Sequence, residues 1–185
     1  MVQRAPVTAR LLPHPAAPPL PDLAIQASLA HDGGGILRLR YEATGACTQL
    51  RIPPPGAPRR ADGLWRHMCF EAFVAAADAP DYREFNFSPS GEWAVYHFTS
   101  YRAGLAPVTA AGDPVVVVRS TAERFVLDAG ISAACLPNAQ GAMLTLALTA
   151  VIEDAAGGLS WWASAHAGEK PDFHDRRGFV LGLEL

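Results

Sequence analysis

The chain has 185 residues, half of them hydrophobic, which is enough to bury one good core and close to the usual size of one domain. Its formal charge is -3, only 18% of residues are charged, and Lys and Arg are scattered, so the electrostatic footprint of a nucleic-acid binder is missing. Cys47, Cys69 and Cys135 are odd in number and in no CxxC pattern, which argues against a disulfide framework and for reduced core residues.

In chain order, the opening carries Pro13, Pro15, Pro18, Pro19 and Pro21, which predicts an extended Pro-rich arm over 1–22 and forbids a helix of any length. No apolar leader core precedes these prolines, and no run approaches about 18 uninterrupted apolar residues. The chain therefore reads as soluble and cytoplasmic, without membrane contact. Leu23, Ile25, Ala27 and Leu29 then alternate, Gly33, Gly34 and Gly35 supply a turn, and Leu37, Leu39, Tyr41 and Ala43 alternate against Arg38, Arg40 and Glu42. That pattern predicts a hairpin with one wet face.

After a proline-rich loop, IPPPGAPRRADG, come MCFEAFVA, REFNFS, EWAVYHF, PVVVVRS, RFVLDAGI, MLTLALTAVIED, LSWWASA and GFVLGLEL. Each has strand length and most are rich in β-branched or aromatic residues, with Gly, Pro or Asn in the gaps. Only ISAACLP at 131–137 invites a short helix or turn. About ten short strands without a long amphipathic helix predict an all-β, antiparallel β-sandwich of jelly-roll type, one domain over 1–185.

Polar residues inside these strands are the informative feature. If Phe85 and Phe87 face the core, Glu84, Asn86 and Ser88 share the opposite face; in CFEAFV, Phe70, Ala72 and Val74 alternate with Cys69, Glu71 and Phe73. Glu71, Glu84 and Asn86 then face either open water on a convex sheet or a groove in which each needs a partner. A groove fits the short side chains, the absence of lysines among them, and Trp65 just ahead of the strand that carries Glu71. A flat aromatic beside carboxylate and amide groups suits a sugar ring, with its apolar face stacked and its hydroxyls hydrogen-bonded.

The loop AHAGEKPDFHDRRG, 165–178, gathers His166, Glu169, Lys170, Asp172, His174, Asp175, Arg176 and Arg177. Pro171 restricts it and Phe173 offers an apolar anchor, so it is expected to be ordered and to approach the same face. Trp161 and Trp162 must point to opposite faces of their strand, one into the core and the other toward a ligand. His166, His174 and Asp172 have neither helical nor zinc-finger spacing, and Asp78, Asp81 and Glu84 make a weak calcium set.

Together, LWRHMCFEAFV, YREFNFSPSGEWAVYHF and WWASAHAGEKPDFHDRRGFVLGLEL resemble the DOMON-like relatives of the family 9 carbohydrate-binding modules, from about Leu64 to the C-terminus. The resemblance implies a tryptophan before the strand, a glutamate on it that takes sugar hydroxyls, and a second aromatic from the loop before the last strand. Trp65 and Glu71 match the first two roles; for the third the loop offers Phe173, His166 and His174 but no tryptophan. The resemblance also extends to haem domains, for which Met68, Met143 and the histidines would be axial ligands, but there is no CxxCH.

The function expected is non-catalytic binding of a small polar ligand, a sugar or sugar-like metabolite, by Trp65, Glu71, Glu84, Asn86, His166, Lys170, Asp172, Phe173 and His174. No cofactor and no metal are assigned, and nucleic acid is excluded as a partner. Two alternatives stay open. One is a glycoside hydrolase using Glu71 and Glu84, which requires a carboxylate of raised pKa where a binding site requires none. The other is a protein-association module or homo-oligomer that uses its exposed aromatics.

Overall fold

The structure is a computed structural model that describes residues 6–108, 112–137 and 143–184. Its first strand, β1 (Val7–Pro13), pairs antiparallel with both β2 (Ala24–His31) and, through Leu12 and Pro13, β11 (Leu159–Ala163). The arm expected at the N-terminus is thus extended but also paired: VTARLL suits a strand, and the prolines from Pro13 onward end it. Residues 1–5 of that arm lie outside the described residues.

From β1 the chain builds two layers. The first sheet runs β1, β2, β3 (Ile36–Thr44), β9 (Arg124–Ser132) and β8 (Val115–Ser120). The second runs β1, β11, β10 (Leu144–Glu153), β4 (Cys69–Ala76), β5 (Tyr82–Phe87), β6 (Trp93–Phe98) and the two-residue β7 (Ala106–Pro107). A last strand, β12 (Leu181–Leu183), joins β10 beside Leu144–Leu146. Every pairing between these strands is antiparallel, so the architecture is an all-β sandwich curled through β1, with twelve strands among the described residues. Only β1 and β7 had no strand expected at their positions. The segment 131–137 forms the expected short turn, a 3-10 helix at Ala133–Cys135 capped by Ser132.

Strand alternation sends one set of side chains from each sheet into the space between them. Tyr41 and Phe125 from the first sheet meet Phe70, whose ring stacks on Phe125 at 5.3 Å with a 12° interplanar angle. Phe85, Phe87 and Trp162 complete the dry layer from the second sheet, and each large side chain there contributes about 1.5–3 kcal/mol. The Tyr41 hydroxyl crosses the layer and donates to the Glu71 carbonyl at 2.6 Å, so the first sheet fixes the backbone that carries Glu71. All three cysteines are buried and outside any disulfide.

The other face of the second sheet is also apolar. Phe73, Tyr82, Tyr96, Phe98 and Phe179 form a second buried cluster there, under the 165–178 loop and the chain around Leu64. Among the described residues no helix is long and apolar enough to cross a membrane.

Candidate functional site

The roofed face of the second sheet places the acids found in the sequence. Register pairs Glu71 directly with Asn86 and Phe73 with Glu84, so all four point away from the Phe70 and Phe85 side. Asn86 donates its amide N–H to Glu84 Oε1 at 2.6 Å and its carbonyl accepts from the Cys69 thiol at 3.6 Å, which fixes the amide's orientation. Glu71 and Glu84 are 2% and 5% exposed, not solvated, and Glu71 Oε1 has no hydrogen-bond partner. Thr149, opposite Glu71 on β10, is buried with an unpartnered hydroxyl of its own. Such groups are costly when left unsatisfied.

Above this floor opens a cleft of about 350 Å³. Trp65 forms one wall. It sits in a 3-10 turn, Leu64–Arg66, entered through Gly63 at φ +77°, a conformation that favours glycine. Leu64 is buried while Trp65 is 40% exposed, its ring edge-on to Tyr96 at 6.2 Å. Tyr96 is braced in turn by a hydroxyl bond to Asp62 and by the Arg60 guanidinium over its ring, with Arg60 also paired to Asp62.

Trp161 contributes a further wall from β11, where Val151 is its cross-strand neighbour, while Trp162 is 3% exposed in the core. The adjacent tryptophans thus divide as strand geometry requires. Phe173 and His174 close the cleft from the 165–178 loop, whose order has identifiable causes. Arg176 donates to the carbonyls of Ala76, Ala79 and Asp81, Asp175 caps the turn Arg176–Gly178, and Asp172 accepts from Tyr101, Arg102 and the His174 amide.

His174 is wedged among Phe73, Tyr82 and Phe98 with ring centroids 5.0–5.8 Å away. Tyr82 accepts from the Arg102 amide, and the tautomer that satisfies the network has its hydroxyl donating to His174 Nδ1 at 2.7 Å. The remaining ring N–H is then on Nε2, 3.8 Å from Glu84 Oε2 and beyond hydrogen-bond reach. Burial, aided by the Arg102 charge, lowers the His174 pKa to about 4, so this contact is not an ion pair at neutral pH.

The carboxyls respond to the same dry surroundings. Burial and the neighbouring Glu84 hold the Glu71 pKa well above the usual carboxylate range, against a small opposing effect from the Cys69 thiol. Burial pushes Glu84 up to about 7 despite the Asn86 hydrogen bond and the Arg102 charge.

Of the residues expected at a site, Trp65, Glu71, Glu84, Phe173 and His174 line the cleft. Asn86 lies behind Glu84, and Asp172 holds Tyr101 and Arg102 without lining the cleft. Lys170 is exposed outside it. His166 turns toward β1, packing edge-on against His14 at 4.7 Å and bonding the Leu12 carbonyl at 2.8 Å. Phe98, at the end of β6, and Arg102 and Leu105, from the chain that follows, were not anticipated; that following chain carries no motif. Met68 is buried in the core and Met143 is exposed, and no group of three or more His, Cys, Asp or Glu side chains among the described residues could hold an ion.

No protein-family model and no curated protein matches this chain. Similarity appears in three dimensions. A Bacteroides uniformis protein assigned to carbohydrate binding superposes with a TM-score of 0.59 at 14% identity, covering 94% of this chain and 85% of its own. A family 9 carbohydrate-binding module from Caldicellulosiruptor kristjanssonii, solved with cellotriose, superposes with a TM-score of 0.54 at 10% identity over 95% and 82% of the two chains. At these identities the likeness is one of fold: this chain shares the β-sandwich of the family 9 carbohydrate-binding modules.

Proposed function

We propose that the chain is a non-catalytic binder of a small sugar or sugar-like metabolite, held in the cleft between Trp65, Trp161 and Phe173 over Glu71 and Glu84. The observation that carries this reading is the unpartnered, buried Glu71 Oε1 on the floor of a cleft with aromatic walls. Rings on the walls suit the apolar faces of a sugar, and acceptors on the floor suit its hydroxyls. The cellotriose complex of a protein with the same fold gives the reading a precedent. Calorimetric titration with glucose, cellobiose and xylose tests it. Binding should be measurable for at least one sugar, and Trp65→Ala should remove about 1–3 kcal/mol of it while leaving the melt nearly unchanged, because Trp65 is half exposed. A normal melt with no heat from any sugar would retire carbohydrate recognition.

A hydrolase reading has one observation in its favour, the raised pKa of the Glu71 and Glu84 pair. The criterion separating enzyme from binder on this ground loses its force, because aromatic burial alone raises any carboxylate on this floor. A pH–rate profile on aryl glycosides decides the matter: turnover abolished by both Glu71→Gln and Glu84→Gln is the result that would establish hydrolysis.

A further inference from the structure

The two carboxyls on the floor of the cleft have no ion-pair partner among the described residues at neutral pH. From β4 the cleft receives Glu71 and from β5 Glu84. The turn after β6 brings Arg102, but that guanidinium is bound to Asp172 at 2.8 Å. The loop brings His174, a neutral ring, and the chain before β4 brings Arg60 and Asp62, paired with each other. Cys69, Tyr41 and Tyr82 are neutral neighbours whose pKa values lie above their ordinary ones through burial. From β10 and β11 come Thr149, Val151 and Trp161, none of them charged. Two buried carboxyls therefore face one cavity, and the cation on its lining, Arg102, is already paired with Asp172 and bonds neither of them.

Their acceptor atoms are open as well. Glu71 Oε1 and the Thr149 hydroxyl have no partner, and Glu84 Oε2 lies 3.8 Å from His174 Nε2, beyond hydrogen-bond reach. Glu71 and Thr149 are directly opposed across β4 and β10, a spacing of about 5 Å between β-carbons, and Glu84 is one diagonal step from Glu71 across β5. A primary ammonium has three N–H donors and one positive charge. The walls are rings of Trp65, Phe73, Trp161 and Phe173, whose faces attract a cation.

We propose that this cleft recognises a protonated primary amine, lodged between Glu71, Glu84 and Thr149, so that the favoured ligand is an amino sugar and not a neutral one. This refines the sugar-binding reading and rests on it for the ring, but the ammonium subsite stands on its own acceptors. A neutral sugar leaves at least one carboxyl to keep its proton, whereas an ammonium takes over the role of that proton. Amine binding therefore releases protons from the pair, and below the point where the amine itself deprotonates its affinity rises with pH. A neutral sugar has no such coupling.

The test compares glucosamine, N-acetylglucosamine, glucose and cyclohexylamine by calorimetry on the full chain at pH 6.5, in two buffers of different ionisation enthalpy. Glucosamine should bind at least about tenfold tighter than glucose or N-acetylglucosamine, with protons released to the buffer. Glu71→Gln and Glu84→Gln should each erase that preference. Both are near-isosteric, and thermal melts check that each is folded. Equal affinity for glucosamine and glucose overturns the ammonium subsite and leaves sugar binding standing. Cyclohexylamine bound with proton release while no sugar binds supports the subsite and overturns the sugar. No heat from any of the four overturns both.

Discussion

The outward faces of the two sheets obey the same alternation and treat the acids at their centres in opposite ways. On the first sheet, Glu42 and Asp128 stand among arginines: Arg40 grips Asp128 at 2.6 Å, Arg119 shares it, and Arg124 reaches Glu42 at 2.6 Å, all partly exposed. On the second, Glu71 and Glu84 stand among aromatic rings under a loop, without a cationic partner. A face that pairs its acids with arginines in water is a solubilising surface. One that isolates two carboxyls from both water and cations is organised around something the protein does not itself supply.

The largest effect that sharpens the contrast belongs to neither outward face. Phe70 lies between the sheets, stacked on Phe125, and Phe70→Ala should cost about 3–5 kcal/mol of stability through a cavity that stacked rings cannot collapse. Chemical denaturation measures it. If the loss were no larger than that of Trp65→Ala, the distinction between a dry inner layer and a ligand-facing outer one would fail.

Much of this layout was legible in the residues. The phase shared by FEAF and EFNF put Glu71, Glu84 and Asn86 on one face, because antiparallel neighbours in register must agree on which side is out. Strand period also separated Trp161 from Trp162. It could not say that the outward face of the second sheet is roofed, since the roof is a loop held by Arg176 bonds to three carbonyls distant in sequence. Nor could it recruit Arg102, which reaches the cleft because Asp172, seventy residues on, holds it there. His166 misled for a related reason: it shares the loop of Phe173 but is captured at the other side by His14 and the Leu12 carbonyl, partners that exist only because the arm is a strand.

The next effect separates the two outward faces by pH. Glu71 and Glu84 titrate above the unfolded carboxylate, so between those values the folded state holds more protons, and stability falls as pH rises. For Glu84, between its ordinary value and about 7, the cost at pH 8 is about 3 kcal/mol, and none of it is felt below pH 4.5. Glu84→Gln, which keeps the acceptor for Asn86, should match the parent protein at low pH and exceed it by a comparable amount at pH 8. Melts from pH 4.5 to 9 follow this directly; parallel curves for parent and variant would mean that Glu84 is solvated.

The smallest effect is the counterpart on the first sheet and has the opposite sign. Burial would raise Asp128, but hydrogen bonds from Arg40 and Arg119 hold its carboxyl below the ordinary value. Its contribution is therefore present above the unfolded pKa and is lost as pH falls through the folded one, so it is complete throughout the range in which Glu84 becomes unfavourable. The carboxyl is 28% exposed, and salt screens partly exposed pairs. Asp128→Asn should cost no more than about 1 kcal/mol at neutral pH, and less in high salt. Since neither Arg40 nor Arg119 is buried, neither charge is stranded when the carboxylate goes, as it would be in a dry cavity. Melts of Asp128→Asn and Glu84→Gln side by side at pH 8 should move in opposite directions, with the larger shift on the second sheet. Two shifts of the same sign would show that the faces differ in composition but not in how they handle charge.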